Sequence, residues 1–193
     1  MKTLVACRIF EDELQACLGA DHDVHIIWLD AALHADLDRL AAELRAAIDT
    51  AKASGGPVQL LFGGGCHPDL TALAGNLGII ASPYKNCIAW LVGDRIGELE
   101  KNRTMLMTPA WVRVWPAIMA AMGWNEIDAR MQLGRYDRIL VLDVGLNSLT
   151  DEEIIAFFDL VQVPVEIQLI ELTEFCDRLR EITGCGAGKV LTE

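Results

Sequence analysis

The sequence is short of positive charge: 16 lysines and arginines stand against 28 aspartates and glutamates, for a formal net charge of −12. A surface that negative repels phosphate backbones, which argues against nucleic-acid binding driven by counterion release. No stretch approaches the roughly 18 continuous apolar residues of a membrane span. The first residues, Met1 to Glu11, meet an acidic side chain before a signal-peptide apolar region could finish. Low-complexity tracts and internal repeats are also lacking. The chain therefore reads as cytoplasmic, with neither nucleic acid nor membrane as a partner. Its six cysteines are too sparse for a disulfide scaffold and include no C-x-x-C pair.

What is present is a globular composition, 52% hydrophobic and 23% charged, in 193 residues, enough to bury a core within one domain. Short apolar runs at Lys2–Ala6, Val24–Leu29, Val58–Phe62, Gly78–Ala81, Thr104–Met107, Arg138–Leu142 and Val163–Leu169 read as strands. Between them lie helical patterns. Asp36–Ala53 carries an i, i+3, i+4, i+7 apolar stripe and stops at Ser54-Gly55-Gly56-Pro57. Pro68 suits the first turn of a helix reaching Leu77, and Cys87–Val92 begins another. Thr150–Val161 opens with a capping box, Thr150 with Glu153, and Thr173–Ile182 is the last helix. This alternation predicts an α/β fold, a mainly parallel sheet with flanking helices and Rossmann-like order. It allows two lobes, with a boundary near the polar stretch 94–103.

In an open parallel sheet, sites gather at the loops leaving the carboxyl ends of the strands. Cys7 ends the first strand, Cys66 follows the third in the turn Gly63-Gly64-Gly65-Cys66-His67-Pro68, and Cys87 follows the fourth. These three thiols are expected to converge on one edge, where helix N-termini favour thiolates. Cys17 and Cys176 share helix faces with Phe10 and Leu14, and with Phe175 and Leu179, and read as core. Cys185 belongs to a tail. His67, beside Cys66, could bind a metal, and His34, after the second strand, could face the same edge. His22 and His25 suggest no role, and Glu11 and Glu13 read as acids favoured in a first helical turn. Gly63, Gly64 and Gly65 let the backbone approach a bulky group, so they and His34 are expected to bind a cofactor. A phosphate cradle is the weaker reading, because neither G-x-x-x-x-G-K-[ST] nor a clean G-x-G-x-x-G is present.

At these residues the sequence resembles the domain-of-unknown-function family 1638. The resemblance rests on Cys7 to Glu13-Leu14, Leu33-His34, the Gly63-Gly64-Gly65-Cys66 turn, Asn86-Cys87-Ile88 and Thr108-Pro109-Ala110-Trp111, and spans most of the chain. Asn86 stands where the family has an acidic residue, and Ala110 where it has glycine. His67 also departs from the family's usual glycine after the cysteine. Members often occur near corrinoid-dependent methyl-transfer systems, so the resemblance implies a corrinoid protein or a methyltransferase as partner.

The leading expectation is a metal or metal-cluster site with Cys7, Cys66, Cys87 and His67 as ligands. It would hold either zinc, which keeps a thiolate at neutral pH, or an iron–sulfur cluster. The first alternative is a non-metallated accessory module whose sheet edge receives a corrinoid or a partner protein. The second is a thiol enzyme with Cys66 as nucleophile and His67 or His34 as base, His34 being the better because adjacent residues usually point apart. The segment from Thr108 to Met122, with Trp111 and Trp115, could serve a homodimer contact or an apolar pocket wall, or form ordinary core.

Overall fold

The computed structural model describes residues 2–19, 23–79 and 82–184. The chain divides into two compact units, one made of Met1–Gly93 with Leu172–Glu193, the other of Asp94–Glu171. Each contains a three-stranded parallel sheet flanked by helices.

In unit 1, β1 (Lys2–Cys7) lies between β2 (Val24–Leu29) and β3 (Val58–Leu61), paired in parallel with both. Leu4, Val5 and Ala6 are wholly buried, as a central strand covered on both faces requires. The α1 helix (Glu11–Leu18) connects β1 to β2, and α2 (Leu37–Ala53) connects β2 to β3. The α2 stripe Leu40, Ala41, Leu44, Ala47, Ile48 and Ala51 is buried. Asp36 caps this helix by accepting the Arg39 amide at 3.0 Å, a contact worth about 1 kcal/mol.

Beyond β3 come α3 (Leu70–Asn76) and α4 (Cys87–Val92). Every residue of α4 is buried, and the Trp90 indole N–H donates to the Phe62 carbonyl at 3.2 Å. After unit 2 the chain returns to unit 1 as α9 (Thr173–Thr183). Its Phe175 ring meets Phe10 at 5.3 Å, and Cys176 is disulfide-bonded to Cys17 of α1, with Cα atoms 5.1 Å apart. Both cysteines are core residues, as the sequence suggests. The bond between them is the addition.

Unit 2 holds α5 (Ile96–Leu99), β4 (Thr104–Met107), α6 (Pro109–Met122), α7 (Glu126–Leu133), β5 (Arg138–Asp143), α8 (Asp151–Val161) and β6 (Val165–Leu169), with strands in the order β4-β5-β6. Thr108 caps α6 through the Trp111 amide, with Pro109 in the first turn. Ala110 follows inside the helix, where it suits the backbone better than glycine would. Thr150 and Glu153 form the expected capping box on α8.

Several boundaries differ from the sequence reading. β6 begins at Val165, after Pro164, whose ring nitrogen has no hydrogen to give a ladder. α3 begins at Leu70, two residues beyond Pro68. Of the strand expected at Gly78–Ala81, Gly78 is a turn residue with φ 67° and Ile79 has no regular structure. Ile80 and Ala81 lie outside the described residues, as do His22 and Cys185.

Candidate functional site

The two sheets differ in how the chain winds through them. In unit 2 both crossovers advance in one direction across β4, β5 and β6. In unit 1 the chain moves from β1 out to β2, then crosses back over β1 to β3. Right-handed crossovers therefore place α1 and α2 on opposite faces, and the connections diverge at the carboxyl ends of β1 and β3. A crevice at such a reversal is where open α/β sheets bind their ligands. Cys7 ends one of those strands, and Gly63 to Cys66 follow the other.

Cys7 and Cys66 are both buried and outside any disulfide. Burial pushes the Cys7 thiol up to about 12, against a hydrogen bond from the Ile9 backbone; charge on Cys66 and Asp30 raises it further. Burial also pushes the Cys66 thiol up, opposed by hydrogen bonds from the backbone at Gly63 and Cys87. The sequence pattern predicts Cys66 at a helix start. It lies instead in the short 3-10 turn Gly64–Cys66, and desolvation outweighs the local hydrogen bonds. At neutral pH both sulfurs are thiols, which are poor nucleophiles.

The three glycines are used for chain-to-chain contact. The Gly64 amide donates to the Tyr84 carbonyl at 2.7 Å, and the Gly65 amide to the Lys85 carbonyl at 2.5 Å. A Cβ at Gly63 would fall on the Asn86 backbone. The amides that a phosphate cradle would need from Gly64 and Gly65 are thus given to the neighbouring loop. Asn86 itself caps α4 by accepting the Ala89 amide at 2.8 Å. Asparagine does this as well as the acid that the family resemblance leads one to expect.

Both candidate histidines are engaged by nearby backbone. Nδ1 of His67, a buried residue, accepts the Asp69 amide at 3.0 Å, which puts the proton of a neutral ring on Nε2. His34 places Nδ1 2.9 Å from the Ala31 carbonyl and stacks on Phe62 with centroids 6.5 Å apart. Burial lowers its pKa below 6.5, against the hydrogen bond to Ala31, so it is neutral at pH 7.

These orientations correct the leading expectation. Among the described residues, no group of three or more His, Cys, Asp or Glu side chains is arranged to hold a metal ion. Cys87 meets Cys66 through its backbone, and His67 turns Nδ1 to its own chain. Cys7, Cys66, Cys87 and His67 therefore do not form the zinc or iron–sulfur site that their sequence positions suggest. The neutral state of Cys66 also leaves the thiol-enzyme reading without an activated nucleophile.

Two charged residues that no sequence motif marks also lie at this edge. Arg8, directly after Cys7, holds Glu11 at 2.8 Å and lies over the Trp28 ring at 5.5 Å. Asp30, directly after β2, accepts the Ala32 amide at 2.8 Å and acts electrostatically on Cys7. Their signal was position, each being the first residue beyond a strand. Glu13, expected as an ordinary first-turn acid, is buried.

Unit 2 has an apolar groove of about 270 Å³ between α6 and α8, lined by Val112, Pro116, Ala156, Phe157 and Leu160, with the Arg113–Glu153 ion pair beside it. The α6 segment thus supplies a pocket wall, whereas Trp115 is buried. No described helix is long and apolar enough to cross a membrane.

No curated protein and no solved structure matches this chain. A family model described as "Protein of unknown function (DUF1638)" matches residues 28–179, a span from the end of β2 to α9 that includes His34, Cys66 and Cys87. The chain belongs to that family.

Proposed function

We propose that unit 1 is a binding module without a resident metal, taking an uncharged organic group at the carboxyl edge of β1 and β3. The observation that carries this reading is the reversal of winding direction across the sheet at those parallel strands, at the point flanked by Cys7 and the Gly63–Cys66 turn. The buried groups there are neutral, two thiols held protonated and a neutral imidazole stacked on Phe62, while the charges of Arg8 and Asp30 beside them are already engaged by Glu11 and by the Ala32 amide. Such a lining favours dispersion contact and weak hydrogen bonds over charge recognition. A corrinoid presented by a partner protein or methyltransferase is the occupant to test first, because the family resemblance implies it and its macrocycle offers a broad flat face.

The test is amide chemical-shift mapping of the 15N-labelled protein. It is titrated with cyanocobalamin, whose cobalt is already fully coordinated, and with a panel of neutral heterocycles. Saturable shifts at Cys7, at Gly64 to Cys66 and at His34 are expected. A panel that moves none of these amides, or protein purified with stoichiometric zinc or iron, overturns the reading.

A further inference from the structure

We infer that the Cys17–Cys176 disulfide is a redox-controlled clasp on the binding edge of unit 1: closed, it holds α9 where Arg178 fixes the Tyr84–Cys87 lip; opened, it releases that lip and uncovers Cys66. The inference rests on the reading of this edge as the site, although its test uses no ligand.

The path runs through named contacts. Cys176 joins α9 to α1 through the disulfide. Two residues on, Arg178 donates from Nε to the Trp90 carbonyl at 3.1 Å and from Nη2 to the Leu91 carbonyl at 2.9 Å. These carbonyls lie in the last turn of α4, where helix carbonyls call for a partner from outside the helix. The same guanidinium lies over the Tyr84 ring at 5.7 Å, and that ring packs on Trp90 at 4.7 Å. Tyr84 and Lys85 in turn accept the Gly64 and Gly65 amides, and the Cys87 backbone bonds the Cys66 sulfur. The lip is therefore gripped by α9 on one side and by the Cys66 turn on the other. α4 has only six residues, too few to persist without such packing and capping.

The switch needs a reductant, and the class that fits is a dithiol. Its thiolate attacks one sulfur of the pair and displaces the other, which takes up a proton. The second thiol resolves the mixed disulfide, so Cys17 and Cys176 leave as thiols and the reductant leaves as a cyclic disulfide. Both sulfurs belong to buried residues, so attack requires outward movement of α9, the same movement that loosens Arg178.

The full chain is reduced with dithiothreitol, the reagent is removed, and opening is confirmed by mass. A short N-ethylmaleimide pulse with peptide mapping then reads Cys66, and amide exchange reads the backbone. Opening the clasp is expected to speed Cys66 labelling on the order of tenfold, as for a local opening that becomes about 1.4 kcal/mol easier. Faster exchange is expected over 82–93 and α9, with β1 unchanged and reoxidation restoring the slow rates. Arg178→Met with the disulfide intact should reproduce the gain at Cys66. Unchanged Cys66 labelling after verified reduction overturns the clasp. Loss of protection throughout β1 also overturns it, because the bond would then be a structural staple.

Discussion

Gly63 packs so closely against Asn86 that a single added methyl group would fall on the Asn86 backbone. Two segments of chain, one leaving β3 and one entering α4, are pressed together there without a side chain between them.

Adding that methyl group is the sharpest test of the loop contact. Gly63→Ala is expected to destabilise the protein by at least about 1–3 kcal/mol, because the obstacle is backbone and cannot rotate away. At Gly64 the nearest atom to an added Cβ is 3.7 Å off, ordinary contact, so Gly64→Ala should stay within about 0.5 kcal/mol of the parent. Urea unfolding of the two variants checks the ordering. Equal midpoints would contradict the contact.

Alkali should weaken the fold through Cys7. Its thiol is raised from 9.0 to about 12 by burial, so the folded state keeps a proton that the unfolded chain gives up. The contribution is full below pH 9 and is lost as pH rises towards 12, with a slope of up to about 1.4 kcal/mol per pH unit. Cys7→Ala removes one such proton. Its stability, measured by denaturant unfolding between pH 8 and pH 11, should fall less steeply than that of the parent. Parallel slopes would refute the assignment.

Acid should act at the other unit. Glu153 is held down to about 2, first by its hydrogen bonds to Arg113 and then by the Thr150 backbone. Its contribution is present above its ordinary value near 4.5 and is lost as pH falls through about 2. About a third of each side chain is exposed, so solvent screening limits Glu153→Gln to roughly 0.5–1 kcal/mol at pH 7. The gap between variant and parent in thermal unfolding should narrow as pH approaches 2. A gap independent of pH would show that packing, not charge, is lost.

The legibility of this chain follows from the range of its interactions. β1, β2 and α2 could be read because their apolar spacing is local and strong, as in the buried Leu40–Ala51 stripe. α7 could not, since only Ala129 and Leu133 of its eight residues are buried and the helix depends on the Asn125 capping box. The loops after β1 and β3 are placed by strand alternation, which singles out Cys7 and Cys66. Which way a side chain turns is another matter. His67 is turned by the Asp69 amide, and Cys87 offers Cys66 a backbone group, details that spacing does not encode. The Cys17–Cys176 bond spans 159 positions and leaves no local pattern in either helix.

Unit 1 is assembled from two separate stretches of chain, with all of unit 2 between them. The ribosome therefore delivers α1 well before its partner α9. Until α9 emerges, Phe10 lacks the Phe175 ring that packs against it, and Cys17 lacks its partner sulfur. A nascent chain halted at Gly93 would carry this apolar face bare. Translation order thus makes unit 1 close only after all of unit 2 has been synthesised.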